Sequence, residues 1–410
     1  MLSLFNTKYL CLLILFEIFI IPLLTATPEF GFEEKKVVVF LFLNSLVVAY
    51  WAILLYFKKL SVEWTRIKII AVLFLGVLLI TSLLGVSLWQ SIIGSPPYFQ
   101  GLITYAYLVL FGVVVSTLKI DTKKLIIVLN ISALLVSFIA LKDFVLHFIY
   151  NFQVWLYSDR VVSTFGQPNF YAGFLLIVLA INLFFIKEVK KAEKICLVLS
   201  CLVLYLGIFV SFSKSVILIA LLFSISQLLY IVFHSYKTII LLFLVFIIFF
   251  SPLILLQNGG NKNLLGELPE SRIYIYGSLV FAFYQKPILG YGLDTIDIFY
   301  KQLFNPESNE FRVFDIGDLK IDVPKSIRDL SVKSSHNYLL DIAIFSGIGG
   351  VGLWIYLIYM VIKKAQDKWL IAGLLAYLAF VMVHNQSIVH LILFWLMVGL
   401  VDQPQKKTDY

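Results

Sequence analysis

A helix needs about 20 mostly apolar residues to cross the hydrocarbon core of a bilayer. This chain offers such a stretch twelve times, at 9–27, 37–57, 67–86, 101–118, 125–146, 170–186, 195–211, 215–233, 238–256, 336–361, 369–383 and 387–401. The last two are short and pair as a tight hairpin. Little is left to cover a water-facing surface: 61% of the residues are hydrophobic and 14% charged, against about 25% charged in soluble domains. The sequence therefore predicts an all-α integral membrane protein of about 12 transmembrane helices, forming one membrane domain. Helices 1–9 fall in residues 1–256, a hydrophilic segment in 257–335, and helices 10–12 with a tail in 336–410.

The basic residues orient these spans. The termini and the connections after even-numbered spans hold eighteen Lys and Arg, among them Lys58, Lys59, Arg66, Lys68, Lys123, Lys124, Lys190, Lys191, Lys363 and Lys364. The opposite side, outside its one long loop, holds only Lys35, Lys36, Lys142, Arg160 and Lys214. Cytoplasmic loops carry the basic excess, so both termini are expected in the cytoplasm. The net charge of +8 is mostly this bias, and nucleic acid is not an expected partner. Residues 1–27 read as a retained first span. Cleavage as a signal peptide at Thr25-Ala26-Thr27 is the alternative, and the remaining topology is the same either way. Cys11, Cys196 and Cys201 lie in apolar runs and are expected to be packing residues.

Segment 257–335 holds nine basic and ten acidic residues, and the topology puts it outside the cell. Long loops in compact proteins are commonly functional. Residues 272–286, rich in Tyr and Phe, predict a helix lying in the membrane interface and stopped by Pro287. Gly290-Tyr-Gly292 predicts a turn, and 294–335 short helices.

Four ionisable groups fall at the outer ends of the spans: Arg160 before the sixth, Lys214 at the seventh–eighth junction, Arg272 at the start of the interfacial helix, and His336 at the start of the tenth. Three cations and an imidazole around one mouth suit a pyrophosphate-bearing lipid, because Arg and Lys clamp phosphate oxygens through charge-assisted bonds. Ser334 or Ser335 is expected to cap the helix after His336. The positive end of that helix disfavours an imidazolium, which makes His336 a candidate general base for a hydroxyl nucleophile. An interfacial histidine bonded to a loop carbonyl is the equal alternative. Asn169, Asn337, Asp341 and His384 are further candidates to line the cavity, His384 with a turn-forming role beside it. His390 reads as a helix-contact residue. Phosphate-loop, zinc-protease and dinucleotide signatures are absent from the sequence, and no cofactor or metal is expected.

Four stretches carry a resemblance: Arg160-Val-Val-Ser-Thr-Phe-Gly-Gln-Pro-Asn169; Ser211-Phe-Ser-Lys-Ser215; Arg272 to Gly292 with its Lys-Pro-Ile-Leu-Gly-Tyr-Gly; and Ser335-His-Asn-Tyr-Leu339 running into Phe345-Ser-Gly-Ile-Gly349. In this order, over roughly residues 155–361, the chain resembles the O-antigen ligase superfamily. That superfamily includes O-antigen and exopolysaccharide polymerases and protein O-oligosaccharyltransferases. The resemblance implies a membrane glycosyltransferase of the GT-C type with one large extracytoplasmic loop. Its donor would be a polyprenyl-diphosphate-linked glycan, its acceptor a lipid core, another glycan or a protein. It also implies His336 as catalytic base, with Arg160 and Arg272 at the donor phosphates or the loop that holds them. The family's Ser-Arg motif stands here as Ser213-Lys214, which keeps the charge and loses the bidentate fork. A carrier that flips a lipid-linked glycan is the rival from a different class, although it leaves the large outer loop ending at a histidine unexplained.

Overall fold

The computed structural model describes residues 6–233, 269–303, 313–316, 319–322 and 332–404. The helices, in chain order, are α1 (Thr7–Ile20), α2 (Phe32–Tyr56), α3 (Arg66–Leu83), α4 (Leu88–Ile93), α5 (Leu102–Ser116), α6 (Thr122–Phe148), α7 (Pro168–Phe185), α8 (Lys191–Val210), α9 (Lys214–Phe233), α10 (Pro269–Gln285), α11 (Ile296–Leu303), α12 (Tyr338–Lys364), α13 (Lys368–Val381) and α14 (Ile388–Val401). Two antiparallel hairpins complete the description, β1 (Leu156–Tyr157) with β2 (Arg160–Val161), and β3 (Val313–Ile316) with β4 (Leu319–Asp322).

Eleven of the twelve apolar runs coincide with helices to within a few residues; the ninth, 238–256, lies outside the described residues. Among the described residues six helices are long and apolar enough to cross a membrane: α2, α3, α6, α7, α8 and α12. Helices α5, α13 and α14 and the Lys214–Leu229 part of α9 are apolar but shorter. Large apolar side chains such as Phe42, Leu79, Leu199, Leu206 and Phe209 point outward, as they do where the surrounding solvent is lipid.

Chain order and packing interleave. Helix α13 lies on α7, α12 on α3, and α14 on α5, so the C-terminal helices complete the N-terminal set. Helix α7 is buried around nearly its whole circumference, as are α13 and α14. Apolar helices gain little from association with one another in lipid, so close backbone approach and polar contacts hold them together. At the α14–α5 crossing a Cβ on Gly399 would stand 2.5 Å from the Gly112 carbonyl oxygen.

The loop region meets expectation in part: α11 is a short helix within 294–335, as expected. Residues 313–316 and 319–322 pair in register from Val313–Asp322 to Ile316–Leu319, where short helices were expected. The β-branched residues around Gly317-Asp318 give the physical reason. Helix α10 ends at Gln285, two residues before Pro287, as expected. The turn that follows does more than reverse the chain. Helix α12 breaks at Gly347 (φ 63°, ψ −163°). The amides of Tyr291 and Gly292 donate to Ile344 O (2.8 Å) and Phe345 O (3.0 Å), and Ile348 N donates to Pro287 O (2.8 Å). Two of the resembling stretches, about fifty residues apart, thus close on each other backbone to backbone.

Hydrogen bonds between elements define two ends of the bundle. Asp402 gathers Lys68, Lys364 and Thr65 at one end. His336, Arg160, Lys214 and His384 belong to the other.

Candidate functional site

The site is built outward from the turn before α12. Its cap is Asn337, whose side chain accepts from Leu340 N (3.1 Å). Neither Ser334 nor Ser335 serves as the cap, which corrects the expectation; asparagine caps as well as serine, and both serine hydroxyls have other work. Ser334 Oγ accepts from His336 N (3.1 Å) and donates to Asp341 Oδ2 (2.7 Å). Ser335 N donates to Asp341 Oδ1 (2.7 Å), and Ser335 Oγ accepts from Asn337 N (3.0 Å). Asp341 thus reaches back from the first turn of α12 to fasten the turn ahead of it. Held from both sides, His336 adopts φ +60°, a left-handed conformation that a residue with a Cβ takes only when its surroundings over-determine it. Its side chain is half-buried, one residue ahead of the cap.

From this turn a string of contacts leads to Lys214. Asn337 Nδ2 donates to Met382 O (3.2 Å) at the end of α13. Two residues on, His384 is buried and its Nε2 lies 2.6 Å from Ser215 Oγ. Ser215 follows Lys214, the exposed first residue of α9. The α8–α9 connection is tight: Phe212 has φ +51°, and Ser213 N donates to Ser211 Oγ (3.0 Å).

Arg160 enters from the β1–β2 hairpin, where it pairs with Tyr157 across Ser158 and Asp159, both at positive φ. The Tyr171 hydroxyl lies within electrostatic reach of Arg160 and beside Ser211. Arg160 therefore approaches a Tyr171–Ser211 corner, and Ser211 lies three residues before Lys214 in the chain. The loop behind Arg160 is pinned by Ser163 Oγ donating to Val136 O (2.8 Å), by Thr164 Oγ1 donating to Pro22 O (2.6 Å), and by Lys36. Lys36 is fully buried, and its ammonium donates to Leu24 O and Thr164 O. Gly166 turns the chain at φ +72°, and Pro168 opens α7 at the position where a missing N–H costs nothing. Asn169 sits half-buried in that first turn, and no described contact ties it to His336. Arg272 occupies the first turn of α10; its side chain lies outside the described residues.

Below the His336 turn lies a small polar pocket bounded by Tyr98, Asp294, Lys333, Asp341, Asn385 and Gln386. Its volume of about 20 Å³ admits roughly one water-sized group. A latch closes one side. Asp294 accepts from Ser95 N, and Gln90 Nε2 donates to Asp294 O (2.6 Å) and Asp297 Oδ1 (2.6 Å). Lys333 Nζ pairs with Asp297 Oδ2 at 2.6 Å. Burial pushes the Asp294 carboxyl up to about 7. Burial also acts to raise Asp297, but hydrogen bonds from Lys333 and Gln90 prevail and hold it below the ordinary carboxylate range. Burial raises the Tyr98 phenol as well.

Sequence reasoning missed several of these groups. Lys36 counts in the sequence as a loop charge, yet it and Glu33 are buried. Glu33 lies within Coulombic range of Lys36 and accepts from Ile388 N (3.3 Å). The signal was Gly31-Phe-Glu-Glu34: Glu34 Oε2 accepts from Gly31 N (2.9 Å), which starts α2 five residues before its apolar run. His390 is the helix-contact residue expected, its Nδ1 accepting from Ser387 N (3.0 Å). Of the cysteines Cys201 alone is buried, while Cys196 is exposed on α8 rather than packed. Among the described residues no three His, Cys, Asp or Glu side chains gather as a metal site would require.

A scan of protein-family models and a search of curated proteins return no match to this chain.

Proposed function

We propose that the chain is an O-antigen ligase-like glycosyltransferase. It moves a glycan from a polyprenyl-diphosphate carrier to an acceptor hydroxyl on the outer face of the plasma membrane. The reading takes all twelve apolar runs as spans, both termini as cytoplasmic, and the His336 end as extracytoplasmic. One observation carries it: a histidine fixed in a left-handed turn by Asp341 and Ser334, with the adjacent Asn337 bonded to Met382 O and His384, two residues on, bonded to Ser215, the neighbour of the cation Lys214.

In this mechanism His336 takes the proton of the acceptor hydroxyl as its oxygen attacks the anomeric carbon. The carrier diphosphate leaves, its growing negative charge held by Lys214, Arg160 and Arg272, with the amides of the first turn of α9 at hand. A single displacement inverts the sugar. A polymerase of the same superfamily would use the same donor, and only the acceptor separates the two.

The test is incubation of purified protein with polyprenyl-diphosphate glycan and candidate acceptors, without nucleotide or added metal, followed by product mass. His336→Ala is expected to abolish transfer. His336→Asn is its control, because asparagine tolerates left-handed backbone and so removes the base while sparing the turn. Full activity in both variants would remove the base assignment. Passage of donor across vesicles without transfer would favour a carrier instead.

A further inference from the structure

The pocket under the His336 turn is unevenly satisfied. Asn385 Nδ2 donates to the Tyr98 hydroxyl (3.1 Å), which leaves Asn385 Oδ1 buried with no partner among the described residues. The Tyr377 hydroxyl donates to Gln386 Oε1 (2.8 Å). Gln386 Nε2 is left buried beside the Tyr338 hydroxyl without a bond of normal geometry. Both residues are at least nine-tenths buried. A buried amide left unmatched costs free energy, so these atoms define what would complete them.

Charge and size narrow the choice. Asp294 and Asp341 border the space, and its volume of about 20 Å³ is too small for a phosphate or carboxylate group. The Lys333 ammonium and the Gln386 amide hydrogens oppose a bare cation. The remaining candidate is a neutral group of about one oxygen atom that donates to Asn385 and accepts from Gln386. We propose that this pocket receives a hydroxyl of the glycan, bound between Asn385 and Gln386. Ser334, which borders the pocket, and Asn385 each lie within two residues of a histidine of the site, so the sugar would sit beside the transfer centre. The identity of the hydroxyl's bearer rests on the transferase reading; a trapped water is the rival occupant.

The experiment measures binding to the full chain in nanodiscs with three kinds of probe. They are farnesyl diphosphate, farnesyl diphosphates bearing glucose, galactose or N-acetylglucosamine, and the corresponding free methyl glycosides. Asn385→Leu is expected to weaken the best sugar-bearing probe about tenfold, a typical loss when one buried hydrogen bond is removed. It should leave farnesyl diphosphate unchanged, and Asn385→Asp should restore the lost affinity. Equal weakening of sugar-bearing and sugar-free probes would overturn the proposal in favour of a structural role. No weakening, or no sugar-bearing probe bound by the wild type, would overturn it in favour of a water. If methyl glycosides bind in an Asn385-dependent way while farnesyl diphosphate does not bind, the pocket stands and the carrier reading falls.

Discussion

The two ends of the helical bundle treat buried polar groups in opposite ways. At the Asp402 end, a carboxylate with 1% of its side chain exposed takes Lys68 Nζ at 2.6 Å, Lys364 Nζ at 2.5 Å and Thr65 Oγ1 at 2.5 Å. Three helices, α3, α12 and α14, meet on one closed ion cluster. At the His336 end, buried atoms with no partner accumulate among the described residues: Gln167 Oε1, Ser213 Oγ and Asn385 Oδ1. A left-handed histidine and a buried lysine stand among them. Closed clusters fasten helices, while open polar atoms and backbone strain mark places that meet something else. One end of the molecule reads as a fastening, the other as a site.

The largest effects expected from this contrast form a pair. His336→Asn should lower transfer by about 10²- to 10⁴-fold, the usual worth of a general base, with the unfolding midpoint unmoved. Asp402→Ala should do the reverse. Removing one partner of a buried ion cluster costs about 3–5 kcal/mol, read as a fall in thermal midpoint, while the folded fraction keeps its transfer rate. If either substitution moves both readouts alike, the division between the two ends fails.

A smaller effect tests the joint between the outer loop and α12. A Cβ at residue 347 would lie 2.2 Å from Ile288 O, at φ +63°. Gly347→Ala should therefore cost about 1–3 kcal/mol and raise hydrogen exchange across 287–292, where the amides of Gly290, Tyr291 and Gly292 are hydrogen-bonded. Unchanged exchange there would show that the clasp is incidental.

How much of this was legible follows from what hydropathy measures. It reports which stretches leave water, so the apolar helices α1 to α3, α5 to α9 and α12 to α14 could be placed to within a few residues, while the short α4 was not foreseen. It does not report which way a polar residue turns at a helix end. Lys36 looked like a loop charge because its apolar run begins at 37, whereas α2 begins at Phe32 and carries Lys36 inward. Asn337 was passed over as a cap because two serines preceded it, and their hydroxyls are instead engaged by Asp341 and by the turn. Asn385 and Gln386 follow directly on His384, the only residue there that sequence reasoning singled out. Their role as a pocket wall depends on Tyr98, nearly three hundred residues away. The motif stretches were visible, but their mutual closure across Pro287 and Ile348 is a tertiary fact that no local pattern encodes.

The smallest expected effect concerns the latch beside the pocket, and its sign can be worked out. Asp294 has a carboxyl pushed by burial to about 7, against an ordinary value of 3.8. The folded state therefore holds its proton more tightly than the unfolded chain. Linkage then makes the contribution of this group to stability fall as pH rises between those values, and level off above the folded one. Ser95 N and Gln90 still join the Asp294 segment to the loop after α4, but above neutrality they hold a buried charge close to Asp297. Wild-type protein should lose thermal midpoint gradually from pH 5 to pH 8. Asp294→Asn, which retains an acceptor for Ser95 N, should flatten that slope and match the wild type at the acidic end. Parallel profiles would mean that Asp294 carries the same charge folded and unfolded.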